Sequence, residues 1–398
     1  MDKKWEQGIK EISIPIKSID SDDFKDLEFL KNVLKDKRVI LLGESSHRVD
    51  EYSRLKGRLI KFLHEQMDFD VLVFENGMSE VEFMNKNRDT LSVDRMLKCI
   101  LWIWSTEANK NLMTYIKNNN SLQVAGIDYQ FSSNYSWQYF KHKNMWFGYD
   151  LFRVDSNACY YIVNNTVNHN DRNGKIQFDS IIHCYIDTFS LALRHIKTNL
   201  PILIQAHISE VNLKYTERIL ENRILFFKAI ISSNGKKGFH SDGKEFYNRD
   251  SIMADNFLFL FREIYPDRKI IVWAHNDHIS RYGGLFKNSY MGGILNKELK
   301  DKEYVIGLYG YAGETDDYKN RFNFIKPSKN SLEAILHKNE YKYSFVPLEK
   351  ESLNKKNDWM NKRVKSLYWG VTIHNIIPVE NYDAVFFIDK VSVPIYVE

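Results

Sequence analysis

The stretch Val39-Ile40-Leu41-Leu42-Gly43-Glu44-Ser45-Ser46-His47 decides the fold class and marks the first candidate site. Its four apolar residues stop at a glycine, a pattern typical of a short buried strand. An acid and an imidazole follow at once, at Glu44 and His47. In open parallel sheets, functional side chains collect just beyond the carboxyl ends of the strands. The sequence therefore predicts a site that begins with Glu44 and His47.

Four further apolar runs end in the same way, each before polar residues. The runs are residues 71–74 before Glu75, 122–127 before Asp128, 269–273 before His275 and His278, and 304–308 before the segment that leads to Glu314. Helical patterns between these runs favour parallel pairing of the strands. Parallel pairing would place all of these polar groups on one rim of the sheet.

The composition predicts a cytoplasmic protein with neither a nucleic-acid nor a membrane partner. Its 56 Lys and Arg residues nearly balance 52 Asp and Glu residues, and the net charge of +4 is too small to indicate a nucleic-acid groove or an anionic membrane surface. No run approaches the roughly 18 apolar residues that a membrane span needs. Three cysteines without CxxC spacing fit a reducing compartment. The composition leaves the oligomeric state open.

The pattern along the chain predicts an α/β core interrupted by a mostly helical insertion. With 398 residues the chain exceeds a typical single domain. Residues 130–262 lack strong strand patterns and show helical stretches near 181–196, 213–231 and 251–264, with polar loops at 164–175 and 232–244. We therefore expect residues 1–129 and 263–398 to form the two parts of the core. A short amphipathic helix is expected near residues 24–34.

One lysine departs from the pattern of the first long helix, which is predicted from Tyr52 to Met67. Lys56 falls on the apolar arc of this helix, where an ammonium group is costly unless it meets a carboxylate. The candidate partners are Glu44 and Glu75, both on the predicted rim. The alternative is a lysine that extends from the edge of the core into water.

Motifs spread over nearly the whole chain resemble those of the erythromycin esterase family. They are Gly43-Glu44-Ser45-Ser46-His47 with Glu51-Tyr52 and Lys56, Phe74-Glu75, the 247–256 segment Tyr-Asn-Arg-Asp-Ser-Ile-Met-Ala-Asp-Asn, Trp273-Ala274-His275-Asn276-Asp277-His278, and the later segments 290–292, 304–307 and 382–388. The resemblance implies a three-layer α/β/α sandwich with a mostly parallel sheet and a helical insertion. It also implies hydrolysis of an ester without a metal or other cofactor.

The chemistry of the rim residues agrees with an ester hydrolase acting on a small-molecule ester or lactone. Histidine serves best as a general base near neutral pH, and His47 has an orienting carboxylate close by in Glu44. Glu75 could orient His47 or a water molecule, while Lys56 and His275 could stabilise an oxyanion. The predicted catalytic residues are Glu44, His47, Glu75 and His275, and the predicted substrate-binding residues are Lys56, His278, Arg48, Asp128 and Arg249.

Other chemistries remain open at this stage. Ser45 and Ser46 adjoin His47, but the chain lacks the Gly-x-Ser-x-Gly elbow of serine hydrolases, so either serine is expected to cap the helix that begins near Asp50. The Glu-x-x-His and His-x-x-His spacings with Glu75 also supply enough ligands for zinc or iron. A tailoring enzyme that uses the same base for acyl transfer, elimination or cyclisation, and a non-catalytic binding protein, are the functional alternatives.

Two departures from the family pattern concern the substrate. Arg48 stands where the family usually has glycine, which changes backbone freedom and adds a charge beside the site. Lys56 stands where the macrolide-resistance esterases have arginine, so bidentate anchoring of an oxygen pair is lost. The resemblance implies a link to macrolide esterases and antibiotic resistance, but these two departures lead us to expect a compact or differently functionalised ester or lactone as substrate, with poor or no action on the macrolide erythromycin.

Overall fold

The computed structural model describes residues 3–131, 133, 135–141, 143–147, 150–164, 172–232, 243–283, 286–287, 290–317, 320–349 and 354–397. Contacts divide the chain into two compact units. The first unit comprises residues 1–75, 103–124 and 265–398, and the second comprises residues 76–102 and 125–264. The division at residues 129 and 262 that the sequence suggests stays a prediction.

The strands, in chain order, are β1 (Ile14–Pro15), β2 (Val39–Leu42), β3 (Phe69–Gly77), β4 (Gln123–Asp128), β5 (Lys269–Trp273), β6 (Tyr282–Gly283), β7 (Phe286–Lys287), β8 (Glu303–Asp316), β9 (Arg321–Asn323), β10 (Tyr343–Pro347), β11 (Val364–Tyr368), β12 (Thr372–Ile376) and β13 (Ala384–Val391). The main sheet has the order β1-β10-β13-β8-β2-β5-β3-β4, and β9 pairs with β8. Two small hairpins, β6–β7 and β11–β12, are separate. All five runs predicted as strands are strands of the main sheet.

The centre of the sheet is parallel. Strand β2 pairs in parallel with β5 and β8, β3 pairs in parallel with β5, and β13 pairs in parallel with β8. Antiparallel pairs join β10 to β13 and β1 to β10 at one side. Every residue of β2 is fully buried, as expected for a strand covered on both faces. The predicted fold class, an α/β/α sandwich with a mostly parallel sheet, is confirmed.

The helices, in chain order, are α1 (Lys3–Ile12), α2 (Leu30–Val33), α3 (Asp50–Met67), α4 (Met78–Asn87), α5 (Val93–Leu97), α6 (Glu107–Asn118), α7 (Asn144–Phe147), α8 (Leu151–Asn164), α9 (Arg172–Gln205), α10 (Glu210–Ser232), α11 (Gly243–Phe259), α12 (Asn276–Ile279), α13 (Met291–Leu299), α14 (Leu332–Leu336) and α15 (Pro378–Asn381). Helix α3 matches the first predicted helix and buries its apolar arc, including Tyr52, Leu59 and Leu63. Among the described helices, none is long and apolar enough to cross a membrane.

The second unit is largely helical. The three predicted helical stretches lie within α9, α10 and the segment from α11 to residue 264. Side-chain ion pairs join these helices: buried Arg223 of α10 donates from Nε to Asp155 of α8 at 2.9 Å. The unit therefore has polar contacts inside its core as well as apolar ones.

Several local expectations are wrong. Residues 3–12 form helix α1, which was not predicted from the sequence. The expected helix at 24–34 is a 3₁₀ turn, Lys25–Leu27, followed by the four-residue α2. Residues 172–175 and 243–244, expected in loops, open helices α9 and α11, and residues 164 and 232 end helices α8 and α10. The rest of those two predicted loops, 165–171 and 233–242, lies outside the described residues.

Candidate active site

The loop after β2 is held close to the segment that follows β5. A side chain at Gly43 would place its Cβ 2.0 Å from Oδ1 of Asn276, so only glycine fits here. The backbone N–H of Asn276 donates to the carbonyl of Glu44 at 2.9 Å. The glycine that ends the first apolar run therefore lets the two polar segments meet at the rim.

Glu44 lies at the centre of the candidate site and is fully buried. Its Oε1 accepts hydrogen bonds from Nδ1 of His47 at 2.5 Å and from Nε1 of Trp104 at 3.1 Å. Its Oε2 accepts from Nζ of Lys56 at 2.8 Å. Burial opposes ionisation, but Lys56 and His47 more than offset it and hold the pKa of Glu44 below its usual value. Glu44 is therefore an ionised carboxylate at neutral pH.

His47 has the tautomer and the pKa of a general base. Because its Nδ1 donates to ionised Glu44, the lone pair of the neutral ring is on Nε2. Burial lowers the pKa of His47 below its usual value, and the neighbouring Glu44 only partly offsets this effect. The ring is 8% exposed. Near neutral pH, His47 is unprotonated and able to accept a proton.

Lys56 forms the ion pair that the apolar arc of α3 indicated, and its partner is Glu44. The side chain is fully buried, so the alternative of a lysine that extends into water is wrong. Its Nζ also donates to the carbonyl of Ala274 at 3.3 Å and lies 4.4 Å from the ring centroid of Trp273. Burial lowers the pKa of Lys56 to about 8, although Glu44 opposes the shift. The geometry supports a role in holding Glu44, while a direct role in substrate binding stays a prediction.

Glu75, at the end of β3, organises the His-x-x-His segment. Its Oε1 is 3.0 Å from Nε2 of His278, and its Oε2 accepts from the backbone N–H of His275 at 2.9 Å. All three residues are at most 4% exposed. Glu75 therefore orients the segment that carries His275, and the substrate contact expected for His278 stays a prediction.

His275 presents an unpaired donor beside His47. Its Nδ1 accepts from the backbone N–H of Asp277 at 3.2 Å, so in the neutral ring the proton is on Nε2. This Nε2 is buried and has no hydrogen-bond partner among the described residues. The ring centroids of His47 and His275 are 4.8 Å apart. A buried donor without a partner next to a base is suited to bind a negative oxygen that forms during a reaction.

Aromatic rings from the β11–β12 hairpin cover both histidines and were not predicted from the sequence. Trp369 stacks on His275 with ring centroids 4.9 Å apart and packs edge-on against His47 at 5.0 Å. Tyr368 packs edge-on against His275, with ring centroids 5.0 Å apart. Trp369 has a φ of +54°, and its N–H donates to the carbonyl of Ser45 at 2.8 Å. A non-glycine residue at positive φ is a strained position that is common at functional sites. The only local signal is the Trp-Gly turn, which is typical of a hairpin.

Ser45 and Ser46 are buried and do not cap helix α3. The N-cap of α3 is Val49, with no side-chain hydrogen bond, so the predicted cap is wrong. The Oγ of Ser45 is 2.9 Å from the hydroxyl of Tyr52, and the Oγ of Ser46 is 3.2 Å from that of Thr315. The two serines therefore hold the loop in place, one through Tyr52 of helix α3 and the other through Thr315 of strand β8.

Three further predicted residues are engaged in ion pairs. Arg48 donates from Nη1 to the carbonyl of Asp316 at 3.1 Å and lies 3.6 Å from its carboxylate. In the second unit, Arg249 donates to Oδ2 of Asp128 from Nη2 at 2.6 Å and from Nε at 3.0 Å. Both members of this pair are buried. A role in substrate binding for these residues stays a prediction.

The carboxylates and histidines of the site are paired with one another. Among the described residues, no group of three or more His, Cys, Asp or Glu side chains is placed to hold a metal ion. Glu44 is bonded to His47, and Glu75 is bonded to the His275–His278 segment. The arrangement is that of two carboxylate–histidine pairs at the carboxyl ends of parallel strands, which is an arrangement that general-base hydrolases can use.

Sequence comparison confirms the resemblance seen in the motifs. The profile of the erythromycin esterase family matches residues 229–391. "Putative hydrolase YbfO" of Bacillus subtilis (strain 168) is 27% identical over 98% of this chain and 92% of its own length. "Erythromycin esterase type II" of Escherichia coli is 24% identical over 98% of both chains. The chain is therefore similar to proteins of the erythromycin esterase family over nearly its whole length.

Solved structures share the fold over almost the whole chain. A crystal structure of a Bacillus cereus protein has a TM-score of 0.78 and 18% identity, and covers 100% of this chain and 99% of its own. The erythromycin esterase EreC, as a mutant in its open conformation, has a TM-score of 0.63 and 16% identity, with 94% of this chain and 95% of its own covered. At these identities the likeness establishes the fold.

The buried pair between Lys56 and Glu44 generates a prediction on stability and activity. We expect Lys56→Met to lower the free energy of unfolding by about 3–5 kcal/mol, because it leaves a buried carboxylate without its cation. Adding Glu44→Gln should recover most of this loss, because the unpaired charge is removed, whereas hydrolytic activity should stay low in both variants. Urea unfolding and kcat/KM on a reactive ester measure the two effects. A Lys56→Met protein that is as stable and as active as the wild type contradicts the assigned role of the Lys56–Glu44 ion pair.

Proposed function

We propose that this protein is a metal-independent hydrolase that activates water with His47 to cleave a small-molecule ester or lactone. The observation that carries the proposal is the pair of facing histidines. His47 has an available lone pair because Nδ1 is bonded to Glu44, and His275 has a buried Nε2 without a partner among the described residues. A base and an oxyanion donor are the two groups that ester hydrolysis requires.

The proposed reaction follows from these two groups. Nε2 of His47 takes a proton from water as its oxygen attacks the carbonyl carbon, and the carbonyl oxygen becomes an oxyanion that accepts a hydrogen bond from Nε2 of His275. The C–O bond to the alcohol then breaks, and the imidazolium of His47 returns its proton to the leaving oxygen. The products are an acid and an alcohol, or a hydroxy acid when the substrate is a lactone.

The Glu44–Lys56 pair supports the charge changes of His47. The ionised carboxylate of Glu44 holds Nδ1–H and stabilises the imidazolium that forms when Nε2 is protonated. Lys56 keeps Glu44 ionised despite complete burial. The proposed chemistry needs no cofactor, because the carboxylates and histidines are used to orient one another.

Direct attack by a serine is less well supported. Ser45 is 2% exposed, and its hydroxyl is bonded to that of Tyr52. The carbonyl of Ser45 also accepts from the N–H of Trp369, which fixes the residue further. An attacking serine needs a base within reach and an open approach for the substrate, so Ser45 would have to give up these contacts first. Activation of water by His47 needs no such change.

The surroundings of the histidines suggest the kind of substrate. Trp369 is 36% exposed and stands over both imidazoles, so it offers an apolar face beside the reacting groups. We propose a compact ester or lactone with an apolar part, and a cytoplasmic location for the reaction. The same base could serve acyl transfer, elimination or cyclisation, and product analysis by mass spectrometry separates these from the gain of one water.

Removal of the base is the central test. We expect His47→Ala to lower kcat by about two to four orders of magnitude, the usual contribution of a general base. The assay uses a panel of lactones and aryl esters, with circular dichroism to verify the fold. His64→Ala is the matched control, since His64 lies in the same unit and bonds to Tyr115 and Ser121. Unchanged turnover in a folded His47→Ala protein would rule the proposal out.

The pH dependence of kcat/KM should be bell-shaped. His47 must be unprotonated, so activity rises with pH through its pKa, which lies below the usual 6.5. Lys56 must be protonated to keep Glu44 in place, so activity falls as pH rises through about 8, the pKa of Lys56. Lys56→Arg should move the alkaline limb upward, because arginine stays charged. If the alkaline limb does not move in Lys56→Arg, a group other than Lys56 causes the loss of activity at high pH.

Erythromycin should be a poor substrate. The ion pair between Arg48 and Asp316 places a bulky side chain where the family usually has glycine. We expect kcat/KM for erythromycin to be about 100-fold or more below that for the best compact ester, which is the discrimination a misfit in one pocket can give. Arg48→Gly should narrow the difference. Ring opening, followed as a mass gain of one water, measures both, and efficient opening by the wild type contradicts the expectation.

A further inference from the structure

A cavity lies in the largely helical second unit and is lined by none of the candidate active-site residues. Its volume is about 320 Å³. The charged side chains that line it are Glu82 and Lys86 of α4, together with Lys141 and Lys143, which follow the 3₁₀ turn Ser136–Phe140. A cavity of this size with four charged groups is suited to a small polar ligand.

Glu82 carries a buried carboxylate oxygen that lacks a partner. The residue is 4% exposed, and its Oε2 has no hydrogen-bond partner among the described residues. Nζ of Lys86 is 3.6 Å from the other oxygen, which is beyond hydrogen-bond length. A buried oxygen of this kind costs free energy until a donor reaches it. A ligand can supply the donor that the described residues do not provide.

The lysines define the charge of that ligand. When Glu82 is ionised, Lys86, Lys141 and Lys143 leave a net charge of about +2 around the cavity. Nζ of Lys143 lies 4.1 Å from the ring centroid of Tyr139 and 5.2 Å from that of Trp146, so aromatic faces hold this ammonium group in position. Lysine ammonium groups bind phosphate as compact point charges. The charge fits a dianion and disfavours a metal cation.

We propose that this cavity binds a small phosphate ligand that also carries a hydroxyl group, either hydrogen phosphate or a phosphate ester of a small alcohol with further hydroxyls. The lysines neutralise the charge of the phosphate oxygens, and Oε2 of Glu82 accepts a hydrogen bond from the hydroxyl group. The hydroxyl is the selective feature. Sulfate, a tetrahedral dianion without a hydroxyl group, can interact with the lysines equally well. It has no hydrogen to donate to Glu82, so its oxygen and the carboxylate repel each other.

The protonation states of the cavity agree with this arrangement. Burial raises the pKa of Glu82 to about 7, although Lys86 and Lys143 oppose the shift. Burial lowers the pKa of Lys143 to about 8, although Glu82 opposes it. Between these two values Glu82 is mostly ionised and Lys143 is mostly protonated. Binding of a dianion should raise the pKa of Lys143 and so cause the protein to take up protons.

Titration calorimetry with hydrogen phosphate and sulfate, at equal ionic strength and at a pH between the two values, tests the proposal. We expect saturable binding of hydrogen phosphate and at least about tenfold weaker binding of sulfate, the effect of a charge-assisted hydrogen bond that sulfate cannot make. Glycerol 3-phosphate separates the two sources: tighter binding than hydrogen phosphate indicates an ester, and weaker binding indicates free phosphate. Titrations in buffers of different ionisation enthalpy measure the proton uptake.

Variants identify the groups responsible. Glu82→Gln should bind both anions about equally, because an amide can donate to sulfate, whereas Lys143→Met should weaken both. Lys98→Met, an exposed lysine of the same unit, is the control and should leave both affinities unchanged. Thermal unfolding verifies that each variant is folded. Equal binding of the two anions by the wild type, or no saturable binding, overturns the proposal without reference to any variant.

Discussion

The fully buried carboxylate of Glu44 is the group on which the rest of the site depends. A carboxylate removed from water is stable only when cations and donors surround it. Here Lys56, His47 and Trp104 supply them, from helix α3, from the loop and from the segment after residue 102. Each partner is consequently fixed by the charge that it stabilises, and the imidazole of His47 has one defined tautomer.

This constraint also explains why a lysine can lie in the apolar arc of a helix. In helix α3, Lys56 is surrounded by residues that pack against the sheet, and its ammonium group rests on Trp273. Without Glu44 the lysine would lose its charge or leave the core, and without Lys56 the carboxylate would tend to take up a proton. The pKa of Lys56, lowered to about 8, shows how strongly burial acts on this pair.

The sequence predicted the parallel core and its rim because central parallel strands are short apolar runs that end at the functional edge. The polar residues after β2, in the last part of β3 and after β5 do meet, as the runs indicated. Trp369 could not be found in the same way, because it lies 324 positions from Ser45, whose carbonyl it contacts, on a small hairpin with a mostly exposed second strand. Helix α1 was missed for a related reason, since its short polar sequence gains stability mainly from tertiary contacts.

The choice of partner for Lys56 shows why local patterns were not enough. Glu44 follows β2 and Glu75 lies in the last part of β3, both on the same rim, so the sequence left both open as partners of Lys56. In the sheet, however, β5 lies between β2 and β3, which places the two strand ends roughly 10 Å apart at about 4.8 Å per strand. Nζ of Lys56 donates to Oε2 of Glu44 at 2.8 Å, while Glu75 acts on the ammonium group only through its charge. Lys56, on the helix that follows β2, takes Glu44, and Glu75 is left to hold the segment after β5. Strand order, a property of long-range pairing, therefore sets the division of roles between two chemically identical side chains.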